Sequence, residues 1–429
     1  MSVWTACWQG LGLAVGALLA VLSWLWITRP RTNAPGPTPL PLLGNLPHFW
    51  RKLPIVVNDF RKLQRQYGDV FRFYIGPKLI LIATQPDDAK RLLVGCKMRE
   101  RDDYTTRALI PFSGYGLIVN KGELWKTHRK LIEPTFHAEV LHGYTEAFNK
   151  GAQFLCSQLA EVNGNEVDIS KMLLHTSFHF LTLSMYGISF DELEPDRKKQ
   201  AVAVDVFISG LELIQVRTFG LAGTDTTATA LSCIFALLGL YPEWQDAIQK
   251  EVDEIFGTGE DYLRPVTESD LTQLKVTEAV IKESLRLFPA VPVAPVFASE
   301  DIPLSDGRYV APRGSVVFVF LNLLHRQPAI YPDPDKFDPG RFLEGGGTNA
   351  LPPYSYLPFG AGSRLCVGAR FAMLVMKTVL ATVMRQFRII PGSTREELEE
   401  IGVFITGKPV HGINIRCVPR TAPVTVDCT

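Results

Sequence analysis

The chain has 429 residues, 46% hydrophobic and 21% charged, which is enough apolar side chain to bury a large core. Its 44 basic and 44 acidic residues cancel, which argues against a nucleic-acid partner, since such proteins show a strongly basic face. The seven cysteines are dispersed with no C-x-x-C pair, which argues against a disulfide framework or a structural zinc site and draws attention to any single cysteine in special surroundings.

The first predicted element is a membrane span. Val3 to Ile27 is a run of 25 residues without a charge. As a helix rising 1.5 Å per residue it reaches about 37 Å, more than a hydrocarbon core of roughly 30 Å. Trp4, Trp8, Trp24 and Trp26 lie near its ends, Arg29, Arg31, Arg51 and Lys52 come after it, and no Lys or Arg precedes it. The positive-inside rule then places the rest of the chain in the cytoplasm. A cleaved signal peptide would need a basic leader and a shorter apolar core. The proline-rich stretch from Pro30 to Pro47 reads as a stiff, extended strap that holds the downstream domain at a fixed attitude to the bilayer. The expected organisation is an anchor over 1–28, a strap over 29–47 and one domain over 48–429.

Leu53 to Tyr67 has the spacing of an amphipathic helix. Val70 to Ile75 and Leu79 to Ala83, parted by Gly76-Pro77, read as a β-hairpin. Helical patterns dominate from Asp87 to about Gln273. Strand-like segments return at Val291–Phe297, Val316–Phe320, Ile401–Thr406 and Ile413–Val418. Strands from both ends of the sequence must meet, so the expected fold is mainly α with small β-sheets.

The most informative segment is Phe359-Gly360-Ala361-Gly362-Ser363-Arg364-Leu365-Cys366-Val367-Gly368. Its glycines let a large group approach the main chain. Cys366 stands just before the helical pattern 369–387, where the helix dipole and free N–H groups stabilise a thiolate. Arg364 adds positive charge and Phe359 an apolar wall. This loop resembles that of the cytochromes P450, and the resemblance runs from the anchor to the last strands. It implies that fold, with haem b bound, Cys366 as the iron's thiolate ligand and Arg364 near a propionate.

Other segments carry the same resemblance. Glu283-Ser284-Leu285-Arg286 matches the family's E-x-x-R, and Arg341 of Phe337–Phe342 would complete a Glu283–Arg286–Arg341 cluster that clamps the cysteine loop. Taken alone, Glu283–Arg286 would be a solvated helix pair worth a few tenths of a kcal/mol. Its place ahead of the cysteine loop, with Arg341 between, favours the cluster. Trp125 and Arg129 look like the family's W-x-x-x-R and sit one helical turn apart, and the resemblance implies that both would reach one propionate. The stretches Trp125–His137 and Ile281–Arg341 look most like family 4, often fatty-acid ω-hydroxylases. Ala222-Gly223-Thr224-Asp225-Thr226-Thr227 matches the oxygen-activating segment. There Gly223 would let the helix pass over the iron, Thr226 would donate a hydrogen bond at the oxygen site, and Asp225 would relay protons. A threonine in a helix otherwise bonds back to its i−4 carbonyl.

The chain departs from the family's pattern at three points. Ala222 replaces the glutamate by which many family 4 members bond haem, so the haem is expected to be non-covalent. Val296 stands where an arginine commonly meets a propionate. The interval from Trp125 to Thr226 is about 70 to 90 residues shorter than is usual in the family, with the break expected near Arg217–Thr218. Residues 200–217 resemble the start of the pocket roof, whose remainder has no counterpart. The resemblance implies a monooxygenase acting on an apolar substrate with O2, an NADPH-dependent reductase and cytochrome b5, on a single-pass anchor in the endoplasmic reticulum membrane. The shortened interval keeps a second reading open, a non-catalytic or poorly folded chain that at most binds haem. An isomerase or dehydratase on the same scaffold would not need Asp225 and Thr226 as a proton relay.

Overall fold

The structure is a computed structural model, which describes residues 3–49, 55–95, 106, 110, 115–187, 220–257, 259–343, 347–403 and 405–420. Among these residues nine helices have ten residues or more. They are α1 (Val3–Ile27), α2 (Val57–Tyr67), α3 (Gly122–Ile132), α4 (Thr145–Val162), α5 (Ile169–Tyr186), α6 (Thr226–Leu240), α7 (Pro242–Phe256), α8 (Lys275–Leu287) and α9 (Ala369–Gln386). Twelve short strands accompany them: β1 (Ile55–Val56), β2 (Val70–Ile75), β3 (Lys78–Ala83), β4 (Glu166–Asp168), β5 (Val293–Phe297), β6 (Ile302–Leu304), β7 (Tyr309–Ala311), β8 (Val316–Phe320), β9 (Phe387–Pro391), β10 (Ile401–Val403), β11 (Gly407–Pro409) and β12 (Asn414–Pro419).

The strands from the two ends do meet. The sheets run β1-β10-β11, β4-β12-β9, β2-β3-β8-β5 and β6-β7. The β2–β3 hairpin turns at Gly76-Pro77 as the sequence predicts, with Gly76 at φ 56°. The helix predicted from Leu53 begins instead at Val57, because Ile55 and Val56 pair with Val403 and Gly402. The strand predicted over Ile401–Thr406 stops at Val403, and Gly407–Pro409 folds back on it as a hairpin.

The helical body is layered around α6. Every residue from Thr227 to Gly239 is buried, so this helix is core on all sides, and the hydroxyls of Thr229 and Ser232 are satisfied by the carbonyls of Asp225 and Ala228. The 222–240 stretch is long and apolar enough to cross a membrane, yet 78% of its most apolar window lies inside the domain. Helices α4 and α5 approach closely where Gly151 faces Phe180, since a Cβ at Gly151 would fall 2.4 Å from that ring. α1 has the opposite character. Several of its large apolar side chains are open, with Leu13 77%, Leu18 58% and Trp24 63% exposed.

The strap is fastened to the sheets. Tyr74 donates its hydroxyl to the Pro30 carbonyl (3.0 Å), Asn33 donates to the Arg308 carbonyl (2.8 Å), and Arg72 N–H bonds Pro35 O (2.8 Å). Arg29 lies 3.5 Å over the Trp26 ring and 5.3 Å from that of Tyr74, joining the base of α1 to β2. The predicted roof remnant 200–217 and the Arg217–Thr218 junction lie outside the described residues.

Candidate active site

The cysteine loop is a succession of tight turns. Gly360 N–H bonds Leu357 O, Leu365 N–H bonds Gly362 O, and Cys366 N–H closes the loop on Phe359 O, each at 3.0 Å. Gly362, at φ 68°, lies against residue 93, where an added Cβ would meet the Leu93 carbonyl at 2.1 Å. This turn can only be glycine. Cys366 leaves the loop three residues before α9 and is exposed. The atoms around its sulfur still push the thiol above its usual range, and the Gly368 N–H directed at it and the Arg129 charge oppose that shift. Phe359 lines a cleft of about 600 Å³ together with Leu365 and Met373.

Two cations converge on this loop. Arg129 of α3 donates to the Leu365 carbonyl (2.8 Å), next to Cys366. Arg364 donates to the carbonyls of Leu117 (3.1 Å) and Asn120 (2.8 Å) and stacks 4.1 Å over the ring of Trp125. The three residues expected at one place are thus brought together, with the guanidinium groups directed at backbone carbonyls. Val296 is buried in β5 opposite Val317 and offers no charge. A thiol with Arg129 on the carbonyl beside it, and with Arg364, two residues earlier, stacked on Trp125, is a donor set that fits a planar metal-bearing group with an acidic edge.

The Ala222–Thr227 segment enters α6 through a π-helical turn over Gly220–Asp225, an irregularity often found at functional sites and one the sequence reading missed. Thr226 donates its hydroxyl to the Ala222 carbonyl (2.6 Å), the ordinary i−4 bond of a helical threonine. Asp225 is held from the far end of the chain. Its carboxylate accepts from Thr406 Oγ1 (2.7 Å) and pairs with the Lys408 ammonium. A Cβ on Gly223 would sit 3.4 Å from Leu181, an ordinary contact, so the chain's own packing does not demand glycine there.

Behind the loop, Glu283 and Arg286 of α8 are fully buried and joined twice, Nε to Oε2 at 2.7 Å and Nη2 to Oε1 at 2.8 Å. Arg286 also donates to the carbonyls of His325 (2.9 Å), Pro334 (2.7 Å) and Lys336 (3.1 Å), while Glu283 accepts the Asp338 N–H (2.9 Å). Arg341 Nε lies 3.6 Å from Glu283 Oε1, which completes the expected cluster. Three residues that the sequence reading did not name carry the connection forward. Tyr331 bonds Ser355 O (3.2 Å), Tyr356 bonds Lys282 O (2.8 Å), and His325 Nε2 accepts the Leu357 N–H (2.8 Å).

Comparison with known proteins agrees with this geometry. The family model described as Cytochrome P450 matches residues 34–211 and 213–411. The chain is 28% identical to mouse cytochrome P450 4V2, covering 88% of this chain and 86% of that protein. It is 26% identical to Drosophila melanogaster cytochrome P450 4g15 (90% and 92% covered) and 28% identical to the fly's cytochrome P450 4d2 (88% and 93%). The mouse alignment runs over 465 positions, more than the 429 residues here, so it opens gaps on this chain's side. The family match itself breaks at residue 212, close to the junction expected from the short interval. With the thiol loop, the buried E-x-x-R cluster and these matches in agreement, the chain belongs to the cytochrome P450 family.

Proposed function

We propose that the chain is a membrane-anchored haem-thiolate monooxygenase. It takes O2, two electrons and two protons, inserts one oxygen atom into an apolar substrate such as a fatty acid, and releases the other as water. The observation that carries this reading is the Cys366 thiol, presented by a closed loop between Arg129 and Arg364. Bound there, haem b would supply the oxygen activation and electron uptake that no side chain provides.

The residues have distinct tasks. Cys366 would ligate the iron, and the Gly368 N–H directed at its sulfur would moderate the charge there. Arg129 and Arg364 would hold the group's carboxylate edge, with the Trp125 ring stacked on the Arg364 guanidinium. Phe359 would offer an apolar wall on the thiolate side. Ala222 has no carboxyl to form an ester, so the group would be held without a covalent bond. Thr226 and Asp225 hold and pass protons, and Asp225 does so only when Lys408 releases it. α1 crosses the endoplasmic reticulum membrane once, the domain faces the cytoplasm, and electrons come from an NADPH-dependent membrane reductase, with cytochrome b5 as a second donor.

The missing interval favours one alternative, a chain that binds haem but turns over poorly because its distal face lacks part of the roof. Water admitted there weakens the dry environment on which coupling depends. The test is product formed per NADPH with a fatty acid and a membrane reductase, for this chain and for one carrying a relative's interval. Coupled turnover by the 429-residue chain supports the enzyme reading. Turnover only in the extended chain supports the alternative.

A further inference from the structure

The segment that leads into the cysteine loop cannot order itself through regular structure. Pro352, Pro353 and Pro358 remove three backbone donors, and a residue before proline is confined to extended conformations. Side-chain contacts with the rest of the chain must therefore fix it. Tyr331 and Tyr356 make two of these fastenings, to Ser355 O and from Tyr356 to Lys282 O. The third differs, because it is the one in which a side chain takes a backbone N–H of the segment.

His325 is fully buried. Its carbonyl accepts from Arg286 (2.9 Å) and its Nε2 accepts the Leu357 N–H (2.8 Å). The ring lies 5.4 Å from that of Tyr356. A ring nitrogen that accepts from an amide carries no proton, so the imidazole is neutral with its hydrogen on Nδ1. The other side of the ring faces the backbone carbonyls of Leu285 and Arg286 in α8, which favour a hydrogen on Nδ1. With the Nδ1 side turned to α8, Nε2 is left as the acceptor for the Leu357 N–H, so one ring spans the helix and the loop segment. From Leu357 the connection is short, since its carbonyl takes the Gly360 N–H and Phe359 O takes the Cys366 N–H.

We infer that His325 is a positioning residue for Cys366: its unprotonated Nε2 holds the Leu357 amide and so fixes the turn that presents the sulfur. The inference rests on Cys366 being the haem ligand. It links the buried Glu283–Arg286 pair to the thiol through one side chain, Arg286 to the His325 carbonyl and the His325 ring to Leu357.

Two variants of the full chain separate this role from simple packing. His325→Gln keeps an acceptor near the place of Nε2, and His325→Leu keeps bulk without one. Hydrogen exchange at the Leu357 amide, read with and without haem, reports the clamp itself. The share of thiolate-type Soret band in the reduced carbon-monoxide complex reports its effect on the sulfur. The Leu variant should exchange Leu357 about tenfold faster or more and lose most of the thiolate band, while α4 amides keep their protection. The Gln variant should stay near wild type on both. Native exchange and band in the Leu variant would overturn the inference. So would equal damage in both variants, or general unfolding of the Leu variant while the Gln variant stays native, since either outcome makes the ring a packing element. Because exchange is also read without haem, a failure of the ligand assignment itself, seen with Cys366→Ala, would be distinguished from a failure of the clamp.

Discussion

Glu283 and Arg286 meet edge to edge with both side chains wholly inaccessible, and Arg286 directs its other donors to three carbonyls of the segment 325–336. In a buried pair of this kind, loss of one partner strands the other charge, at about 3–5 kcal/mol. Glu283→Ala and Arg286→Met should each lower the free energy of unfolding in urea by about that amount, and haem should dissociate more readily. A change below about 1 kcal/mol would be that of a solvated surface pair and would contradict the clamp.

The Asp225–Lys408 pair makes a different prediction. Lys408 is half exposed, so the pair adds little stability, about 0–1 kcal/mol. Asp225→Asn and Thr226→Ala should lower product formed per NADPH several-fold and raise peroxide release. Lys408→Met removes only the partner and should leave coupling at or above wild type. Equal loss in all three variants would make Asp225 a structural fastening for the C-terminal hairpin.

Ala222 predicts how the haem is retained. Acid–organic solvent should strip all haem from the polypeptide. Haem that travels with the chain on denaturing chromatography would show an unforeseen covalent bond.

His325 predicts a dependence of stability on pH. Burial, and then the charges of Arg286 and Arg326, depress its pKa from 6.5 to about 3. The unfolded chain therefore takes up a proton that the folded chain refuses. Stability from this residue is complete above pH 6.5 and is lost as pH falls towards 3, by up to about 1.4 kcal/mol per unit. Urea unfolding at pH 7 and pH 5 should show wild type losing more stability than His325→Gln. Equal losses would mean that the imidazole is free to protonate in the fold.

Legibility in the sequence depends on the range of the interaction. Glu283 and Arg286 are neighbours on one helix face, and the β2–β3 hairpin is set by alternation and a Gly-Pro turn, so both were readable locally. Cys366, Arg364, Trp125 and Arg129 were readable as motifs, and their convergence comes from the loop and α3 packing together. His325 and Tyr356 were not, because their partners are backbone groups distant in sequence that side-chain patterns do not mark. Lys408 was missed for the same reason, since nothing near it points to Asp225. The start of α2 was misplaced because pairing of Ile55 and Val56 with β10 overrides their helical periodicity. The spacing of Trp125 and Thr226 revealed the shortened interval, but spacing alone carries no information about how the joined ends fold.

The central claim is that the Cys366 thiolate holds haem iron. The most direct test is the absorption spectrum of the reduced, carbon-monoxide-bound protein, for wild type and Cys366→Ala. The account predicts the red-shifted Soret band of thiolate ligation in wild type and its complete loss in the variant. The same band in Cys366→Ala would contradict the account.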